Sequence, residues 1–214
     1  MAIGRGILAV LNDCASGAED AYENWYLSEH LVERVSIEGF RWGRRYRALD
    51  VTASPLPEYL TYYETDDPSV LSSKAYLGRV NDPTPRTRRI MTEVFLNMSR
   101  TVCRRTLCEG AVQSAWVAVA TSDQPIEFPA ISIPQGSTLW RETWISAENQ
   151  DAAASTEEGL RGGDKKIAAA LLQDCTTADH ARQIAADLNA QETLNAGAYR
   201  LTGTLDRSDL MAET

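Results

Sequence analysis

The stretch NWYLSEHLVERVSIEGFRWGRRY, residues 24 to 46, decides the fold. Its first part belongs to a helix. Ala18, Ala21, Tyr22, Trp25, Val32 and Val35 recur at helical spacing, so residues 16 to 37 are predicted to lay that face on a sheet. Ser16 or Gly17 marks the start, and Gly39 stands just past the end as a stop. Beyond it the period drops to two. Residues 40 to 49 read as a strand, with Arg41, Arg45 and Arg47 on one face and Trp42, Arg44 and Tyr46 on the other.

Outward from this core the pattern continues. RGILAVLN (5–12) is a buried strand before the helix, and a loop with Pro55 and Pro57 leads to a further strand, EYLTYYET (58–65). On that strand Tyr59, Thr61 and Tyr63 share one face, and Leu60, Tyr62 and Glu64 the other. Asp66 or Asp67 caps a helix that begins at Pro68 and runs to about Val80. EVFLNMSRTVCRRT (93–106) supplies a last strand, giving β-α-β-β-α-β, the ferredoxin-like order.

Much of this order returns. SAWVAVAT (114–121), TLWRETWISA (138–147), KKIAAALLQD (165–174) and GAYRLTGTL (197–205) read as strands, with a helix from Thr176 or Thr177 to about Leu188. An offset of 109 residues sets EYLTYYETDDPSV over IAAALLQDCTTAD, strand on strand and cap on cap. The second unit lacks a clear first helix, because Pro125, Pro129 and Pro134 break residues 122 to 137. Residues 148 to 163 are polar and end in glycine, so they read as a surface loop or a short exposed helix. Two units result, residues 1–110 and a diverged 111–214. Each has a bare apolar sheet face, and packing the two faces together buries both. The expected fold is therefore α+β: tandem ferredoxin-like units forming an intramolecular version of the dimeric α+β barrel.

The quoted stretch resembles the start of EthD-like members of the dimeric α+β barrel superfamily. Trp25, Tyr26, Glu29, His30, Glu33, Arg34, Gly39, Phe40, Arg44, Arg45 and Tyr46 carry the resemblance. Val32 and Gly43 depart from it, where such proteins often have proline and alanine. The resemblance implies a pocket between a sheet and its helices, or within the barrel. It also implies chemistry drawn from isomerases, cyclases, lyases, quinol-type monooxygenases and some haem enzymes, and fold alone does not choose among them.

Bulk properties narrow the field. A net charge of −9 argues against a general attraction to nucleic acid or an anionic membrane, although PRTRR (85–89) and CRR (103–105) concentrate positive charge. No apolar run approaches the roughly 20 residues of a membrane span. The opening MAIGRGILAVLND reads as a strand rather than a leader. Cys14, Cys103, Cys108 and Cys175 show neither C-x-x-C spacing nor a nearby histidine, so reduced thiols in the cytoplasm are expected, with no metal.

The candidate catalytic residues are His30, Glu29 and Glu33. Histidine titrates near neutrality and suits proton transfer, and a carboxylate beside it would fix its tautomer and raise its pKa. Glu33 lies three residues on and Tyr26 four residues back, both neighbours on a helix surface. The blander alternative makes His30 structural, bonded to the turn around Gly39. Glu29, near Trp25 and Val32, is either a base or the partner of Arg44 or Arg45. Trp25, Tyr26, Arg44, Tyr46 and Tyr62 are the candidate substrate-binding residues, with Arg44 and Tyr46 holding an anionic oxygen. His180, among polar neighbours, is assigned no role.

The expected function is acid–base chemistry without metal or cofactor: an isomerase, cyclase or lyase acting on an oxygenated aromatic or polyketide-like small molecule. One alternative is a haem-bound or cofactor-free monooxygenase, and another is a non-catalytic binding protein. Association into a homo-oligomer is left open.

Overall fold

The structure, a computed structural model, describes residues 3–131, 133, 137–147 and 155–211. Eight strands, all paired antiparallel, close into one barrel: β1 (Gly6–Cys14), β2 (Phe40–Ala48), β3 (Tyr59–Thr65), β4 (Phe95–Glu109), β5 (Trp116–Ser122), β6 (Arg141–Ser146), β7 (Ala169–Cys175) and β8 (Asn195–Asp206). Around the barrel they run β4-β1-β3-β2 and then β8-β5-β7-β6. The β2–β8 and β4–β6 pairs join the two halves, so no sheet edge is left open.

Alternating residues divide each strand between two environments. Ile7, Ala9, Leu11, Tyr46, Leu60, Tyr62, Cys103, Val117, Val119, Trp144, Ala170 and Leu172 meet inside the barrel. Outside the first half, Tyr22, Trp25, Tyr26, Tyr59, Tyr63 and Tyr76 pack between sheet and helices. Outside the second half, Ala118, Ala120, Leu171, Ala181, Ile184, Ala185 and Leu188 form the corresponding layer.

The first helical segment is α1 (Glu19–Trp25), a wider π turn (Tyr26–His30) and α2 (Leu31–Val35). The extra residue of the π turn rotates everything after it by about one position. Tyr22 and Trp25 face the sheet as expected, but beyond the turn the buried residues are His30, Leu31, Arg34 and Val35. Val32 is only half-buried and Ala21 is exposed. The uniform helical period therefore missed His30, Leu31 and Arg34 and set Val32 too deep, while Val35 is buried as expected. Gly39, at φ 86°, makes the turn into β2. Gly43 lets α2 approach closely, since a Cβ there would stand 2.7 Å from Leu31 Cδ1 and 2.8 Å from the Tyr63 ring.

Other differences are local. The helix expected from Pro68 divides at Ser73 into a 3₁₀ turn (Pro68–Ser72) capped by Asp67 and α3 (Lys74–Asn81) capped by Ser73. The basic run near residue 86 opens a helix absent from the sequence reading, α4 (Pro85–Glu93), capped by Thr84. In the second half α5 (Thr156–Leu160) follows β6, and α6 (Ala178–Asn189) is capped by Thr177. A short α7 (Arg207–Met211) ends the described chain. Strand starts Tyr59 and Ala169, and caps Asp67 and Thr177, lie one residue further apart than the offset read from sequence. No helix occurs among the described residues between β5 and β6; Pro134 and residues 148–154 lie outside them. α5 is not simply exposed, because Glu157 is buried.

Candidate functional site

Where the π turn swings His30 and Arg34 inward, a cavity of about 20 Å³, room for one water, lies between the first-half sheet and its helices. Leu8, Val10 and Tyr63 form its floor, and Tyr76, Met91, Phe95, Met98, Glu157 and Arg161 complete its walls with Tyr26, His30 and Arg34. The His30 ring lies against Trp25, tilted by 32° at 4.3 Å between centroids, and meets Tyr26 edge-on at 5.1 Å. The Tyr26 and Tyr63 hydroxyls are 3.2 Å apart.

Electrostatics follow from burial. His30 is held well below its ordinary pKa by burial, then by the charges of Arg34, Arg161 and Arg45, so near neutral pH it is an uncharged base. Tyr63 is pushed far above the usual phenol range by burial and by Tyr26, and stays a hydroxyl donor. Arg34 donates through one terminal nitrogen to Glu157, and Arg161 pairs with Asp164 at 2.6 Å. Two buried polar atoms on this cavity's residues have no partner: His30 Nδ1 and Arg34 NH1. In the tautomer that leaves Nδ1 unprotonated, an imidazole acceptor and a guanidinium donor on residues of one cavity suit a group that gives up a proton and becomes an oxyanion.

Beneath the helix, Arg45 is fully buried, with Tyr22, Tyr26 and Tyr59 rings 4.0–4.7 Å from its guanidinium. It is held by both carboxylate oxygens of Glu23 at 3.1 Å. Tyr26 is thereby fixed from behind.

The sequence-derived site is divided by the sheet. His30, Trp25 and Tyr26 come together on its outer face. Glu29 turns away to accept from Thr84 and Thr87 and to pair with Arg86 at 3.5 Å, not with Arg44 or Arg45. Glu33 pairs with Arg79 at 3.3 Å. Neither carboxylate is bonded to His30, whose pKa moves down rather than up. His30 also makes no bond to the turn at Gly39; it is held by ring contacts. Arg44, Tyr46 and Tyr62 face the barrel lumen, with Tyr46 stacked on Tyr62 at 5.9 Å. His180 lies at the exposed start of α6.

Sequence reasoning missed Arg34, Glu157 and Arg161. Arg34 belonged to the motif, and its i+4 spacing from His30 was visible. The missing signal was the π turn, which no residue pattern announced. Glu157 and Arg161 belong to the other half of the chain and reach the cavity only through barrel closure.

No family model and no curated protein matches this chain. Among solved structures, a protein described as an "anthrone oxidase-like protein" aligns over 94% of this chain and 92% of its own, at 9% identity and a TM-score of 0.53. A "Putative monooxygenase" from Fusobacterium nucleatum aligns over 95% of both chains, at 8% identity and a TM-score of 0.50. What the likeness shows is the fold, a closed eight-stranded α+β barrel, spanning nearly the whole of both chains.

Proposed function

We propose that this protein is a small-molecule enzyme in which neutral His30 removes a proton from an oxygenated aromatic or polyketide-like compound and Arg34 holds the oxyanion formed. The observation that carries this is the pair of unpartnered buried atoms, His30 Nδ1 and Arg34 NH1, on residues of one cavity. An imidazole neutral at pH 7 has a lone pair free for a proton; burial and the nearby cations lower its basicity, and the negative charge that develops on the substrate beside the guanidinium offsets them in a water-poor site. The Tyr26–Tyr63 hydroxyl pair supplies a further donor. A ring-sized substrate enters by displacing Met91 and Met98, whose unbranched thioether chains repack readily. The repeated strand order and the residue 24–46 motif support a tandem ferredoxin-like, EthD-like ancestry.

A second reading extends the first, and the names of the two fold neighbours favour it. A carbanion left by His30 can pass electrons to dioxygen, so that R₂CH₂ and O₂ give R₂C=O and H₂O. Anthrone is a suitable probe for both readings. Under nitrogen in D₂O, proton transfer appears as deuterium entering its acidic CH₂; under air, oxidation appears as oxygen uptake. His30→Ala is expected to slow exchange by roughly 10²–10⁴. Undiminished exchange in a folded His30→Ala protein would remove His30 from the mechanism.

A further inference from the structure

Across the sheet from His30, the barrel lumen gathers a second set of polar side chains. Glu142 is fully buried, and its Oε2 accepts from Arg105 Nε at 2.6 Å and Trp144 Nε1 at 3.0 Å. Arg105 also pairs with buried Glu64 at 2.8 Å. Asp174 accepts from the Ser114 N–H at 2.7 Å and lies in the field of Arg44, beside which stand the Tyr46 and Tyr62 hydroxyls. The Trp140 ring lies 5.9 Å from the Arg105 guanidinium, and three buried atoms in this set have no partner: Glu142 Oε1, Arg105 NH2 and Trp140 Nε1.

The walls between them are aromatic. Tyr62 lies 4.9 Å from Trp144 and 5.1 Å from Trp42, and the Arg44 guanidinium covers Trp42 at 4.4 Å. Trp42 and Arg44 are only half-buried, so this end opens toward solvent. Burial pushes Asp174 up to about 7. Arg105 is paired with both Glu64 and Glu142, and Arg44 lies near Asp174, so each cation has a carboxylate beside it. A lumen end with paired charges, aromatic walls, two unpartnered donors and one unpartnered acceptor matches an uncharged ring carrying a hydroxyl, which both gives and accepts a hydrogen bond.

We propose that this end of the lumen is a second binding site, separate from the His30 cavity, for an uncharged hydroxylated aromatic compound held by Glu142, Arg105 and Trp140. It does not depend on the catalytic reading of His30.

The five tryptophans make the two sites separately readable. Trp25 lies against His30, whereas Trp140 and Trp144 belong to the lumen. Titrating ¹⁵N-labelled protein with 1-naphthol should shift the Trp140 and Trp144 indole N–H signals saturably, with the same midpoint in wild type and His30→Ala. Trp140→Phe removes one donor without touching the ion pairs. It should weaken the response of Trp144 about tenfold. Shifts confined to Trp25 would overturn the lumen site while leaving the His30 reading intact. Silence of all lumen signals up to the solubility limit would overturn it too, because the unpartnered atoms are then served by water alone. A midpoint unchanged in Trp140→Phe would have the same force.

Discussion

The barrel carries two helix-on-sheet layers built on the same strand order and filled in opposite ways. In the first half Tyr22, Trp25, Tyr26, Tyr59, Tyr63 and Tyr76 stand between sheet and helices, with Arg34, Arg45 and His30 among them. In the second half the layer is Ala118, Ala120, Ala181, Ala185, Ala196 and Ala198, with Leu171, Ile184 and Leu188. Small residues line the contact of α6 with its sheet, and Cys175 among them is a thiol that burial keeps protonated. In the first half large rings share the layer with buried cations and an imidazole. The difference teaches where chemistry can be placed in this fold. Of the two layers one is close-packed with small residues, and the other carries the buried polar groups.

The hardest blow to this contrast is Glu157→Ala. It leaves Arg34 buried without its counter-charge, and removal of one partner of a buried pair costs roughly 3–5 kcal/mol. Urea unfolding should show that loss. A loss below about 1 kcal/mol would mean that water reaches Arg34, and the first layer would not be the closed polar pocket described. Next in size is Ala185→Leu in the second layer. Overfilling a tight interface costs about 1–3 kcal/mol, and no ring-sized space is there to absorb the added carbons. If the variant is as stable as wild type, the alanine layer is looser than the contrast requires. Smaller again is Tyr26→Phe, which deletes one member of the Tyr26–Tyr63 hydroxyl pair and should cost about 0.5–1.5 kcal/mol in thermal unfolding. The same variant should lower the exchange rate of anthrone only modestly, since His30 and Arg34 remain.

How much of this was legible in the sequence follows from range. Local signals were read correctly as far as they go: the strand alternation that sets Tyr62 and Arg44 on the faces opposite to Tyr63 and Arg45, without saying which face is inward, and caps within the pairs Asp66/Asp67 and Thr176/Thr177. The barrel itself was legible because bare apolar faces must be buried. The π turn was not, because a helix period carries no mark of one inserted residue; hence Glu29 and Val32 were set where His30 and Arg34 belong. α4 was hidden by its arginines, which read as charge rather than as the solvent side of a helix opened by Thr84 and Pro85. Ion pairs such as Arg34–Glu157 and Arg105–Glu142 join distant segments, and only closure of the chain brings them together.

The finest test of the contrast is pH, because the two buried sites should pull stability in opposite directions. His30 is kept neutral in the folded chain but takes a proton at about its ordinary 6.5 once unfolded. Below that value the unfolded state binds more protons, so the stability His30 contributes is present above pH 6.5 and falls with acid, by at most about 1.4 kcal/mol per pH unit. Asp174 behaves in the reverse sense. Its folded value of about 7 lies above its ordinary 3.8, so the folded state holds a proton that the unfolded state has released. Its contribution is full below about pH 4 and is lost as pH rises to about 7. Between pH 4 and 6.5 the two slopes oppose each other, and the wild-type profile should be flatter than either group alone would make it. His30→Gln should then leave stability that declines from pH 4 to 7, whereas Asp174→Asn should leave stability that rises over the same interval and levels off above 6.5. Urea midpoints at half-unit steps decide the matter. Profiles of the two variants that run parallel to wild type would mean that neither group is sealed from water, and the outer cavity and the lumen would no longer differ in the way their charges require.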